Sequence, residues 1–160
     1  MPAASRLSGL SLDFKDLLGG LGRYTAKVHA AALKGVGIAT MQLYNDAVME
    51  PPTVPKLTGD LRGSGSALVE GELLASGLGG EGAENPTPVV SEPDEVVAGA
   101  ITGTVAFNRP QAARLHEHPE YQFTEEGAGG KFLEAKIEAH GKEYLDVVGE
   151  AIKEAHHGRA

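Results

Sequence analysis

The sequence predicts an α+β fold: a small antiparallel sheet packed by a long N-terminal helix and a long C-terminal helix. Three observations predict it. Apolar residues recur at spacings of three and four through residues 25–50 and again through 131–157. Between these segments lie short stretches with strand composition, bounded by Gly- and Pro-rich turns. The order helix, strands, helix segregates the two kinds of element, as α+β layers do.

The elements follow in order. Residues 11–24, "SLDFKDLLGGLGRY", predict a short amphipathic helix with Ser11 as N-cap, broken at Gly19-Gly20. "TAKVHAAALKGVGIATMQLYNDAVMEPP" is the clearest helix of the first half, with Val28, Ala32, Val36, Ala39, Leu43 and Ala47 on one stripe. Pro51-Pro52 stops it. Its face is mostly small (Ala31, Ala32, Gly35, Ala39), so whatever packs there approaches closely. "ALVEGELL", residues 67–74, alternates as one half-buried strand, Val69, Gly71 and Leu73 on one side and Glu70 and Glu72 on the other. Residues 76–95 are rich in Gly, Pro and acid and predict a long flexible loop. "VVAGAITGTVAF", residues 96–107, is the strongest strand signal, with Val97, Ile101, Val105 and Phe107 on one face. "RPQAARLHE" fits one or two helical turns with Pro110 at the start. From residue 131 a second long amphipathic helix carries the stripe Leu133, Ile137, Gly141, Tyr144, Val148 and Ile152. The predicted organisation is an N-terminal segment (1–24), one domain (25–156) and a disordered tail (157–160).

Composition narrows the function. With 5% aromatic residues, no tryptophan and 22 glycines, the core must be built thinly from Ala, Val, Leu and Ile. The formal charge is −8, and residues 51–100 hold most of the excess, with two basic against eight acidic side chains. An acidic chain without a basic block does not wrap nucleic acid, because phosphate neutralisation dominates that affinity. Zero cysteines exclude disulfides and thiolate metal sites. The N-terminus "MPAASRLSGL" lacks the layout of a cleavable leader and no apolar run is long enough to span a membrane, so a soluble protein used without export is expected.

The motifs that carry chemistry elsewhere are weak here. "AARLHEHPEYQF", residues 112–123, sets His116 and His118 around Glu117. Zinc needs three or four ligands, and two histidines two apart diverge at a helix end. The pair therefore fits a surface or interface role better than a metal site or a general base. "GLGGEG", residues 77–82, has the letters of a dinucleotide loop, but "AENPTP" after it stops a helix, which makes it a linker. Ser64 and Ser66 near Asp60 lack an ordered base, and Glu70/Glu72 and Glu125/Glu126 fit solvated faces or turns. No cofactor is expected. "TGDLRGS" is more informative: Leu61 can anchor the turn, and Arg62 offers a planar, multi-donor cation beside a strand start. A carboxylate of its own subunit is the first partner for such an arginine, a neighbouring subunit the next and DNA phosphate the last.

Taken in order, four segments resemble the tail-completion family of long-tailed bacteriophages, whose members are labelled neck, tail–head joining or minor capsid proteins. They are a helix ending in prolines ("NDAVMEPPTVP"), a T-G-x-L-R-x-S turn (Thr58, Gly59, Leu61, Arg62, Ser64), an A-x-x-L-H-E segment (Ala112, Ala113, Leu115, His116, Glu117) and "GAGGKFL" opening the last helix (Gly127 to Leu133). The resemblance spans about residues 25–155. Family members commonly carry Pro before the lysine of the last motif, where this chain has Gly130, and the 76–95 stretch is unusually rich in Gly and acid.

The resemblance implies a non-enzymatic virion protein of the phage neck. It would form a ring, typically of six copies, that terminates the tail tube and docks onto the head-proximal connector or stopper protein. Genomic DNA would only pass through the lumen. Host cytoplasm would be the place of assembly, and no membrane is involved. The residues it marks for subunit and assembly contact are Thr58, Gly59, Leu61, Arg62, Leu115, His116, Glu117, Lys131, Phe132 and Leu133. On this reading Arg62→Ala impairs assembly more than folding. Two alternatives stand beside it: a portal-proximal connector or minor capsid protein, and a small metal-dependent hydrolase built on His116, Glu117 and His118.

Overall fold

A computed structural model describes residues 14–56, 60–78 and 100–158, with side chains from residue 22 onward. The fold is α+β, a three-stranded antiparallel sheet packed against a long N-terminal and a long C-terminal helix. Helix α1, Phe14–Met49, is one unbroken element of 36 residues. The expected break at Gly19-Gly20 does not occur. Glycine lowers helix propensity by about 1 kcal/mol but keeps its N–H, so the hydrogen-bond ladder continues where proline would end it. Ser11 lies outside the described residues. The helix stops before Pro51-Pro52, whose peptide bond is cis.

A single helical turn, α2 (Asp60–Gly63), leads into β1 (Gly65–Val69). The stretch expected to be one strand is a hairpin. Glu70 (φ 50°) and Gly71 (φ 78°) turn the chain, and β2 (Glu72–Ser76) returns beside β1 with Val69 opposite Glu72. Positive φ at both central residues is the geometry of the two-residue hairpin turns whose twist matches the strands. Leu73 therefore stands on an edge strand, half exposed, instead of sharing a buried face with Val69. Strand β3 (Gly103–Phe107) pairs with the other side of β1, giving the order β2-β1-β3. The described part of the expected 96–107 strand confirms its C-terminal half; Val97 and Gly99 lie outside the described residues.

Helix α3 (Gln111–Glu117) begins after Pro110 and is followed by an irregular stretch up to α4 (Glu134–His157). Helices α1 and α4 run antiparallel: Tyr24 meets His156 at one end and Glu50 meets His140 at the other. Gly35 makes the close approach possible, since a Cβ there would lie 2.8 Å from the Cα of Val148. The small-residue face expected of α1 is thus a helix-packing face. The stripe expected on α4 is rotated in its first turns. Ile137 is 55% exposed, and Lys136 is buried beside Asp46 and Glu50 of α1.

The core has two lobes joined by Phe107. One holds Ala47, Val54, Leu61 and Phe132; the other holds Tyr44, Val48 and Ala67. Few as they are, the aromatics sit at its centre, contrary to the aliphatic core expected from composition. Tyr44, Phe107 and Phe132 follow one another edge to face at 5.9 and 5.6 Å, the geometry that ring quadrupoles favour. The Tyr44 hydroxyl accepts the N–H of Leu78, and burial raises its pKa.

Candidate functional site: an arginine clasp and the HEH–KF junction

Arg62 sits in the helical turn before β1, and the turn aims its guanidinium inward, where it is buried. It donates from Nε (3.0 Å) and Nη2 (2.6 Å) to the carbonyl of Val54, and from Nη2 to Thr53 Oγ1 at 3.4 Å. The same Nη2 donates to both carboxylate oxygens of Glu125, at 3.2 and 3.1 Å. Glu125 also accepts the N–H of Lys56 at 2.9 Å. One planar cation thereby ties the Pro-rich connection after α1 to a turn 63 residues further along. Backbone completes the clasp: Thr53 donates to the Gly127 carbonyl and accepts from the Gly129 N–H, as a short parallel bridge. Glu125 is not the solvated carboxylate its sequence context implied.

The histidine pair divides between inside and outside. The His116 ring packs edge-on against buried Phe132 at 4.8 Å, and its Nε2 is buried without a partner among the described residues. The His118 ring stacks on Tyr121 at 4.8 Å, over which Arg114 also lies, and its Nδ1 is 2.6 Å from Glu120. Glu117 between them is engaged by Lys131 at 3.0 Å, and Lys131 also meets Glu134 at 2.8 Å. Hydrogen bonding from Lys131, then His116, holds the Glu117 carboxyl below the usual range; Glu134, then Glu117, raises the Lys131 ammonium. The Lys131 N–H closes the junction on the His116 carbonyl at 2.7 Å, with Lys131 itself at φ 54°. Gly130, the departure from the resembling pattern, has a local reason. A Cβ there would meet the backbone of Pro119 at 2.7 Å.

Leu61, Arg62, Leu115, His116, Glu117, Lys131, Phe132 and Leu133 are thus gathered around one lobe of the core. Thr58 and Gly59 lie outside the described residues, as does the loop from residue 79 to 95. Beside His116 a cavity of about 160 Å³ is lined by Phe107, Ala112, Ala113, Phe132 and Leu133. Among the described residues no three His, Asp or Glu side chains come together as metal ligands, and no helix is long and apolar enough to cross a membrane. The chain matches no family model, no curated protein and no solved structure.

A second polar cluster, unforeseen in the sequence, joins α1 to α4. Tyr144 donates to Asp46 at 2.7 Å, and His140 bridges Glu50 (2.9 Å) and Glu143 (3.2 Å). Burial and then the Asp46 contact push the Tyr144 phenol far up. Desolvation pulls the His140 imidazole down, but Glu50 and then Glu143 outweigh it and leave its pKa raised. Desolvation lowers the Lys136 ammonium in spite of Glu50 and Asp46. The signal that could have found this cluster is the carboxylate pair Asp46/Glu50, one helical turn apart just before the prolines.

Proposed function

We propose that this chain is a structural virion protein of a phage neck, one subunit of a ring that terminates the tail tube and joins it to the head connector. One observation carries the reading. The described parts of the four segments that resemble the tail-completion family, scattered from residue 45 to 133, meet as one packed unit. Proline exit, Arg62 turn, "LHE" and "GKFL" are bound to one another by the Arg62–Glu125 pair, the Thr53–Ala128 bridge, the Lys131–His116 bond and the Phe132 core. Residues that recur together because they build one junction are what a shared fold requires. A shared active site would instead direct them into an open cleft.

The role of "HEH" follows. His116 and Lys131 shape the entry to α4, and His118 with Tyr121 and Arg114 presents a stacked, polar surface for a neighbour. The acidic excess suits a lumen through which DNA slides without adhering. Native mass spectrometry of the purified chain, alone and with isolated tail tubes, tests the proposal. A closed ring, or a monomer that joins only when tubes are present, is the expected result. Binding to DNA-filled heads in place of tubes would move the protein to the portal-proximal position. A monomer that ignores both and carries a stoichiometric metal would end the structural reading.

A further inference from the structure

Strand β3 ends the described sheet, and its outer edge is open. At the two limits of its ladder with β1, Asn108 donates to the Ser64 carbonyl and Glu70 to that of Thr102. Bonded pairs alternate with unbonded ones in an antiparallel ladder, so Ser66 with Ala106 and Leu68 with Thr104 are the bonded pairs between. The N–H and C=O groups of Gly103, Val105 and Phe107 therefore point away from β1, and no further strand among the described residues pairs with them. The opposite edge, β2, carries Glu72 and a bulged ladder, two devices that discourage pairing with another chain. β3 has no charge, no proline and no register shift.

Helix α4 roofs the space beside that edge. Along α1, Gly37 lies against Leu74 of β2, Val36 and Thr40 against Gly103 of β3, and Gly35 against Val148 of α4. α4 is thus on the far side of α1 from β2, beyond β3. It packs against α1 and not comparably against any strand. Two helices side by side span about 20 Å, whereas three strands span about 14 Å, which leaves room for one more strand. Ile152 of α4 shares an opening of about 610 Å³ with Ile101, just before β3, and this identifies the side of the helix that overhangs the edge. Glu138 and Leu145 recur on that side at seven-residue spacing, both exposed, Leu145 at 73%.

We propose that the free edge of β3 receives one extended strand of another protein, added beneath α4. The backbone supplies the hydrogen bonds and alternate side chains supply the specificity. The incoming strand is apolar where it passes Leu145 and Ile152 and basic where it passes Glu138. A second copy of this chain does not fit. Its β3 would bring another α1 and α4 into the layer that this α4 already fills, and its β2 is bulged and acidic like the roof it would have to enter. The inference goes beyond the neck reading and does not rest on it.

The probe is a peptide of alternating threonine and valine with lysine at each end (KTVTVTVK), and its control is the same composition in blocks (KVVVTTTK). Each is added to the full chain, and amide exchange is read residue by residue by NMR. In the free chain Thr104 and Ala106 should exchange slowly, and Val105 and Phe107 fast. The alternating peptide is expected to slow Val105 and Phe107 by about tenfold or more, and the control to leave them fast. Val105→Pro removes an outward N–H and keeps the ladder with β1, so it should abolish the protection of Phe107 at a near wild-type melting midpoint. Glu138→Lys, on the exposed face of α4, should weaken binding of the lysine-ended peptide. Val105 and Phe107 already slow in the dilute free chain, or slowed by raising its concentration, would mean that this chain or a second copy holds the edge, and overturns the proposal. Protection of β2 in place of β3, equal binding of the two peptides, or no binding overturns it too. None of these outcomes bears on ring formation, which mass spectrometry decides separately.

Discussion

Replacing Arg62 with alanine is expected to destabilise the isolated chain by about 3 kcal/mol, built from three contributions of known size. The Val54 carbonyl is the largest. Val54 is fully buried and its oxygen takes two of the guanidinium bonds, so leaving it unpaired costs about 1–3 kcal/mol. The Glu125 ion pair adds less, about 1 kcal/mol at most, because that carboxylate is 36% exposed and retains the Lys56 N–H. Loss of the buried alkyl stem adds about 1 kcal/mol. Urea denaturation followed by circular dichroism reads the total, and the slope checks that both variants unfold in the same way. Glu125→Ala should cost about 1 kcal/mol, and Arg62→Lys should fall between, since an ammonium cannot serve carbonyl and carboxylate in one plane. The pattern alone favoured an assembly defect; the buried geometry moves the expected defect into the monomer. An Arg62→Ala chain that unfolds at the wild-type midpoint yet fails to assemble would refute this reasoning and return the guanidinium to a subunit contact.

Three further outcomes follow from the helix pair. Gly35→Ala should lower the melting midpoint, because the clash with the Val148 backbone at 2.8 Å, about 1–3 kcal/mol, exceeds the gain of about 1 kcal/mol in helix propensity. The raised pKa of His140 places its stabilising contribution below the ordinary imidazole value of 6.5 and removes it as pH rises through the folded value. Denaturant midpoints should therefore fall from pH 6 to pH 8 in the wild type more than in His140→Gln, which keeps a hydrogen bond but cannot charge. Lys136→Met should raise the unfolding free energy by about 1 kcal/mol, seen as a higher urea midpoint, because burial already disfavours the charged form more than Glu50 and Asp46 favour it. A lower midpoint would mean that those carboxylates depend on the ammonium.

Fold class was legible because it depends on periodicity, and the stripes of α1 and α4 are long. The hairpin was missed for a local reason. Glu70-Gly71 supplies positive φ without the Asn-Gly or Asp-Gly pair that announces such a turn, and "ALVEGELL" alternates well enough to pass as one strand. Ile137 was placed on the buried stripe because hydrophobicity decided the assignment, whereas Lys136 takes the buried position beside Asp46 and Glu50. Arg62 was recognised as a multi-donor turn residue with an intrachain carboxylate as first partner. Which carboxylate could not be read, since Glu125 reaches it only through the tertiary fold. The divergence of His116 and His118 was legible from their two-residue spacing at a helix end.

The sheet order has a consequence for how the chain can be divided. Residues 14–78 contain α1 and the hairpin, and 100–158 contain β3, α3 and α4. Each half lacks what completes it. β1 has its second neighbour in β3, α1 has its partner in α4, and the Thr53 bridge and Arg62 clasp both end in the C-terminal half. A chain divided between residues 78 and 100 is therefore suited to complementation: two fragments, neither able to close a core, that recover the native pairing when mixed. The same arrangement makes the fold a sensor of proximity. Fused to separate carriers, the two pieces would regain structure only where the carriers meet.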